Sequence, residues 1–143
     1  MGKSKFFARR REKRMYKEVI ISIVIAIIIF GLNFITQSYT KNAVVQVSEK
    51  LDNTRKELTK EAPDYEIAFQ KAEDTLTTWE GLDDTIALYI EHTEIEKVKT
   101  AIISMKSFIQ MEDASQAVDS IDRCCYVLEN IKQREEFSID NIF

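Results

Sequence analysis

The chain has 143 residues and a formal net charge of -4, and it contains only three Gly and one Pro. So few chain-breaking residues exclude a turn-rich sandwich, a barrel or a phosphate-binding loop, and they favour an all-α fold. A basic head and an apolar stretch occupy the N-terminal part, which leaves about a hundred residues, enough for one small helical bundle.

The charge differs in sign on the two sides of the apolar stretch. Residues 1–18 hold eight Lys or Arg against Glu12 and Glu18, a net +6, whereas residues 36–143 hold the other 12 basic and 22 acidic side chains, a net -10. The basic head lacks the interleaved aromatic residues of a nucleic-acid site. We therefore expect no nucleic-acid partner and interpret the head as a topology signal that also attracts anionic lipid.

Residues 19–35 carry no charged side chain. As a helix they cover roughly 25 Å, and with Thr36 they predict a transmembrane helix over residues 19–36. A buried core helix and a cleaved signal peptide are the alternatives. The apolar run is longer than the usual signal-peptide core and no small-residue cleavage site follows it, so we expect a permanent anchor.

The basic residues also predict the orientation. Eight precede the span, and only Lys41, Lys50 and Arg55 follow it closely. The positive-inside rule then places residues 1–18 in the cytoplasm and the C-terminal part outside it, in a single-pass protein of the cell membrane. Within the span, Ser22 and Ala26 form a small-xxx-small pair, a candidate helix contact in a homodimer.

After the span, residues 37–62 predict a helix that continues from the membrane. Its apolar face repeats at spacings of 3, 4, 3 and 4 and consists of Val44, Val47, Leu51, Thr54 and Leu58. We expect this helix to stop near Ala62, because Pro63 cannot continue the hydrogen-bond ladder.

Residues 63–136 predict a helical bundle domain. Its first helix starts near Pro63 or Asp64 and continues, kinked near Gly81, towards Glu91. The face of this helix comprises Tyr65, Phe69, Ala72, Leu76 and Trp79.

Two further helices follow in the bundle domain. Thr93 and Glu96 match a capping box, and Asp113 offers a similar cap for the last helix. The two apolar faces are Ile95, Val98, Ile102, Met105 and Ile109, then Ala117, Ile121, Cys124, Leu128 and Ile131. Short connections favour antiparallel neighbours, either as a small up-and-down bundle or as a pair of helical hairpins.

These features resemble the family known as domain of unknown function 4363, small single-pass membrane proteins of clostridia and related Firmicutes. The basic head, the Ile-rich span, Trp79, the junction at residues 92–96, the following helical pair and the ending at residues 136–143 carry the resemblance. The basic head is longer than in that family, and Thr93 stands where an acidic residue is expected. The resemblance implies a membrane-anchored helical domain without known activity, whose members can act beside a polytopic membrane protein.

No combination of residues predicts a catalytic, cofactor or metal site. His92 is the only histidine, and its neighbours Glu91, Glu94 and Glu96 make a poor zinc site, so we interpret His92 as a capping or packing residue. The acidic pairs lack calcium-loop spacing and are typical of solvated faces and caps. They lie at residues 73–74, 83–84, 112–113 and 135–136.

Cys124 and Cys125 are adjacent, and their Cα atoms, about 3.8 Å apart, are too close to favour a disulfide. Buried free thiols or a bond between two chains remain as alternatives. The tail, residues 137–143, is apolar for a chain end. Its candidate partner-binding residues are Phe137, Ile139, Ile142 and Phe143, and packing of the tail across the bundle is the alternative.

These observations favour a non-enzymatic, membrane-anchored interaction module that binds another membrane or envelope protein outside the cytoplasm. The alternative is a helical bundle that senses a small ligand between its helices. An enzyme would need a base, a nucleophile and oxyanion donors that one His and two adjacent Cys do not supply.

Overall fold

A computed structural model describes the backbone of residues 2–87 and 90–140 and the side chains of residues 16–32, 34–35, 38–82, 85–87 and 90–134. All regular structure in these residues is helical, which confirms the all-α prediction. The described helices are α1 (Gly2–Leu58), α2 (Tyr65–Ile86), α3 (His92–Gln110) and α4 (Ala114–Asp140). The chain divides into two compact units, residues 1–37 and residues 38–143, and α1 contributes to both.

Unit 1 is the N-terminal part of α1. Its described apolar side chains, such as Val24 at 48% and Phe34 at 73%, are exposed on every side of the helix. The hydroxyl of Ser22 donates to the carbonyl of Glu18 at 2.9 Å, so this polar group is satisfied within the helix. Among the described residues, no helix combines the length and the hydropathy that crossing a membrane requires.

Unit 2 has one hydrophobic core, to which all four helices contribute. Every residue of the predicted faces of α1, α3 and α4 is buried, as the 3,4 spacing indicated. On α2 the face is rotated relative to the prediction, because Ala68 and Thr75 are fully buried while Tyr65 and Phe69 are half-buried. Ala72 and Trp79 of the predicted α2 face are fully buried, and Trp79 is the largest fully buried side chain.

Ion pairs show that α1 and α2, and then α2 and α3, are antiparallel. Lys50 pairs with Asp74, and further along α1 Glu57 pairs with Lys71 at 3.2 Å, so numbers rise on α1 as they fall on α2. The same order holds between α2 and α3. There Glu80 pairs with Lys99 at 3.0 Å and Glu73 pairs with Lys106 at 3.1 Å.

Helix α4 contacts both α3 and α1. The Cys124 sulfur lies 4.0 Å from the Val98 carbonyl, and Arg134 lies 3.6 Å from Glu91, so α3 and α4 are also antiparallel. Arg55 of α1 pairs with Asp122 of α4. The arrangement is therefore the predicted up-and-down bundle rather than a pair of separate hairpins.

Two predicted helix ends differ from the structure near Pro63. Helix α1 ends at Leu58 rather than near Ala62, and the chain turns directly after the Thr59 amide has donated to the Arg55 carbonyl at 3.0 Å. Helix α2 begins at Tyr65, where an Asp64 carboxylate oxygen accepts from the amide of Ile67 at 3.0 Å. Helix α2 passes through Gly81 and ends at Ile86, short of Glu91.

The predicted Thr93 cap is wrong. Helix α3 starts two residues earlier than a Thr93 cap predicts, with Glu91 as its N-cap and no capping bond from a side chain. The Glu91 carbonyl accepts from the amide of Glu94 at 2.9 Å, which makes Thr93 a helical residue. The Asp113 cap is confirmed, because its carboxylate accepts from the amide of Gln116 at 3.0 Å.

The turn between α3 and α4 is a Schellman motif. The amide of Asp113 donates to the carbonyl of Phe108 at 2.9 Å and the amide of Glu112 donates to Ile109 at 3.0 Å. This places Glu112 at φ 55°, the left-handed region that Gly usually occupies. A side chain here strains the backbone.

We expect Glu112→Gly to raise the free energy of unfolding by about 1 kcal/mol, since Gly removes the left-handed strain and loses some of this gain to unfolded-chain entropy. Chemical unfolding of the full chain in detergent, followed by circular dichroism, measures the change. Glu112→Ala is the control, because Ala keeps the Cβ. Equal stabilisation by Ala and Gly would contradict this account.

Candidate functional site

A groove with a volume of about 640 Å³ lies between α3 and α4 on the outside of unit 2. We call it the α3/α4 groove. Its α3 wall is formed by His92, Thr93, Glu96, Lys97, Thr100, Ala101, Ser104 and Phe108, and its α4 wall by Gln116, Ser120, Arg123 and Val127.

The groove follows the two helices along their length. From Thr93 to Phe108 it spans four helical turns, about 22 Å. Ala101, Phe108 and Val127 are half-buried and supply its apolar surface. Ser120 is 4% exposed, and its hydroxyl donates to the Gln116 carbonyl at 3.0 Å. The polar group at the bottom of the groove is thus already satisfied.

The charges along the groove are paired within single helices. Lys97 pairs with Glu94 at 2.9 Å, Arg123 pairs with Asp119 at 2.6 Å, and His92 lies 3.8 Å from Glu96. Two cations, Lys97 and Arg123, line the groove against one carboxylate, Glu96, which gives the lining a formal charge of +1. Residues 36–143 as a whole carry -10.

The side chains on either side explain why the helices leave a groove here. At the α1/α2, α2/α3 and α4/α1 contacts, long charged side chains such as Lys50, Lys106 and Arg55 cross from one helix to the next. The middle of the α3/α4 contact instead carries short side chains, among them Ala101, Ser104 and Ser120. Short side chains fill less of the space between two helices.

Glu94 is a buried carboxylate at one end of this contact. It is 7% exposed and is held by Lys97 at 2.9 Å, with Arg134 of α4 at 3.9 Å. A buried carboxylate needs such partners. We interpret Glu94 as a link that fixes the register of α3 against α4.

The two cysteines are free thiols in different surroundings. Cys124 is fully buried, and burial raises its pKa to about 12. Burial also raises the pKa of Cys125, although the nearby Arg55 guanidinium opposes the shift. Raised values mean little thiolate at neutral pH, so neither residue is an activated nucleophile.

The raised pKa of the Cys124 thiol predicts that the fold loses stability at alkaline pH. The thiol of an unfolded chain titrates near its ordinary pKa of 9.0, whereas in the folded state the pKa is about 12. Between these values the folded state keeps a proton that the unfolded state releases, so stability falls as the pH rises. Unfolding free energies of wild type and Cys124→Ala measured from pH 8 to 11 should show a smaller decline for Cys124→Ala; parallel curves would contradict the assignment.

The prediction that His92 caps a helix or packs in the core is wrong, because its side chain is exposed and makes no capping bond. Its side chain is 80% exposed at the first position of α3 and lines the α3/α4 groove. No group of three or more His, Cys, Asp or Glu in the described residues is arranged to hold a metal ion. Of the acidic pairs, Glu73 and Asp74 form ion pairs between helices, and Asp113 is a cap.

The predicted contact residues in the span lie together on α1. Ser22 and Ala26 share a shallow depression of about 460 Å³ with Glu18, Val19 and Ile23. The side chains of the tail residues Phe137, Ile139, Ile142 and Phe143 lie outside the described residues. Sequence reasoning missed the α3/α4 groove, because it considered the apolar faces of α3 and α4, to which Thr100 and Ser104 do not belong.

The fold and site define an all-helical bundle domain with a surface groove. The family model described as Domain of unknown function (DUF4363) matches residues 34–142. The chain therefore belongs to this family, as the resemblance suggested. Comparison with curated proteins and with solved structures gave no significant match.

Proposed function

We propose that the protein is a membrane-anchored, non-enzymatic interaction module, whose bundle binds another membrane or envelope protein on the outer side of the cell membrane. The observation that carries this proposal is the contrast between the two units. Unit 1 exposes its described apolar side chains on all sides, whereas unit 2 buries its apolar core among its own helices.

The sequence of residues 19–35 supports the membrane anchor. An apolar helix surface exposed all round is costly in water and favourable in lipid. The side chain of Asn33 lies outside the described residues, so its place in this apolar surface is inferred from the sequence. The excess of basic residues before the stretch supports a cytoplasmic N-terminus.

Protease accessibility tests the topology. We expect protease added to intact spheroplasts to digest an epitope tag at the C-terminus and to spare a tag at the N-terminus. Lysed spheroplasts provide the control for tag sensitivity. A protected C-terminal tag would place the bundle on the cytoplasmic side and contradict the proposed topology.

Chemical crosslinking in native membranes tests the interaction module. We expect the full chain to be recovered with a defined second protein of the membrane or envelope. A small-residue contact at Ser22 and Ala26 would instead give a crosslinked homodimer. Recovery of uncrosslinked chain alone would contradict the proposal.

The volume of the α3/α4 groove favours a second candidate function, sensing of a small ligand that the groove contacts on one side and leaves partly exposed. About 640 Å³ is within the range of small-molecule sites. A thermal-shift screen of the full chain in detergent tests this function, because a ligand that binds the folded state raises the unfolding temperature.

A further inference from the structure

We infer that the α3/α4 groove binds an amphipathic helix of a partner protein, with acidic residues beside the apolar stripe of that helix. The inference rests on the proposed interaction module and names its contact surface. The groove runs about 22 Å along two helices, the length of four helical turns. A partner helix laid along it presents residues at i, i+3 or i+4 and i+7 to the groove.

The groove is too open for a small molecule to be enclosed. Thr93, Glu96 and Thr100 lie on its rim and are exposed. Small-molecule sites bury most of the ligand surface, which an open groove on two helices does not do. A helix needs burial on one side only, and its polar side stays in water.

The bottom of the groove allows a third helix to approach closely. Ala101, Ser104 and Ser120 are short side chains, and packed helices lie about 8 to 10 Å apart according to the side chains between them. The Ser120 hydroxyl already donates to the Gln116 carbonyl, so covering Ser120 leaves its own donor satisfied. Phe108 and Val127 add apolar surface to the contact.

The charge of the groove lining favours an acidic partner helix. Lys97 and Arg123 project from opposite helices and are 58% and 73% exposed. Their present partners, Glu94 and Asp119, belong to their own helices. The Arg123–Asp119 pair is exposed on both sides and is therefore weak, whereas Lys97 also holds the buried Glu94 carboxylate. Carboxylates of a partner helix can therefore be attracted to the groove although unit 2 is acidic overall.

Photocrosslinking of the full chain in native membranes tests the inference. Benzoylphenylalanine replaces Ser104 in the groove or, as a matched control on the same helix, Ser107, which is exposed and lies outside the groove lining. We expect Ser104→benzoylphenylalanine to label one protein, at positions 3 or 4 residues apart in a helical segment with acidic neighbours. The Ser107 variant should label that protein weakly or not at all.

A charge reversal adds a second measurement, which tests the charge of the partner helix. In the Ser104 probe background, Arg123→Glu should lower the crosslinking yield about fivefold, because it repels an acidic helix. Lys56→Glu is the control, since Lys56 is equally exposed and also pairs within its helix, with Asp52. Equal yields from the two reversals would overturn the acidic partner.

The remaining outcomes separate this inference from the proposed function. Labelling of the same protein from Ser107 but not Ser104 would show that the partner does not bind in the α3/α4 groove. The proposed interaction module would still hold. A non-polypeptide adduct at Ser104 would indicate a small ligand, and a second copy of the chain would indicate a dimer face; either result overturns the partner helix. Absence of protein crosslinks from both positions and with chemical crosslinkers would overturn both proposals.

Discussion

Trp79→Ala should lower the free energy of unfolding of the bundle by about 4 kcal/mol, as is typical when a buried aromatic side chain is removed. Trp79 is 0% exposed and is the largest fully buried side chain of the core. Urea unfolding of the full chain in detergent, followed by circular dichroism, measures the change.

Trp79→Phe is the matched control. The Trp79 indole nitrogen has no hydrogen-bond partner in the described structure, and an unsatisfied buried donor is itself costly. Phe removes this donor and keeps an aromatic ring, so we expect a loss below about 1.5 kcal/mol. A Phe variant as unstable as the Ala variant would show that the nitrogen has a partner that stabilises the fold.

The spacing of apolar residues predicted the fold well because the helices of unit 2 bury one side each. Val47, Ile102 and Ile121 could be identified as core residues from periodicity alone. Helix ends were harder to predict. At Thr93 a capping pattern was present in the sequence, but the helix starts two residues earlier, where the Glu91 carbonyl accepts the first backbone bond.

The candidate site could not be predicted in the same way. A groove between two helices depends on which polar positions face each other across a contact, and periodicity says nothing about that. Ser104 and Ser120 are ordinary residues in the sequence and become neighbours of one groove only when α3 and α4 are antiparallel in this register. The short side chains of Ser104 and Ser120 were the sequence feature that could have indicated a groove.

Ile23→Arg combined with Ile27→Arg should release the chain from the membrane fraction. Each arginine near the centre of a span costs about 3 kcal/mol, so the pair opposes insertion by about 6 kcal/mol. Both isoleucines are exposed on α1, at 54% and 65%, so neither substitution disturbs a packed core. Carbonate extraction of membranes, followed by detection of an epitope tag in pellet and supernatant, measures the release.

Val45→Arg combined with Ile67→Arg is the control for added charge. These two side chains are also apolar and exposed, at 57% and 42%, but they belong to unit 2. Because we place unit 2 in water, this variant should stay in the membrane pellet like the wild type. Release of both double variants would show that added charge alone disrupts retention. Retention of the Ile23 and Ile27 variant would count against residues 19–35 as the anchor, whatever the bundle binds.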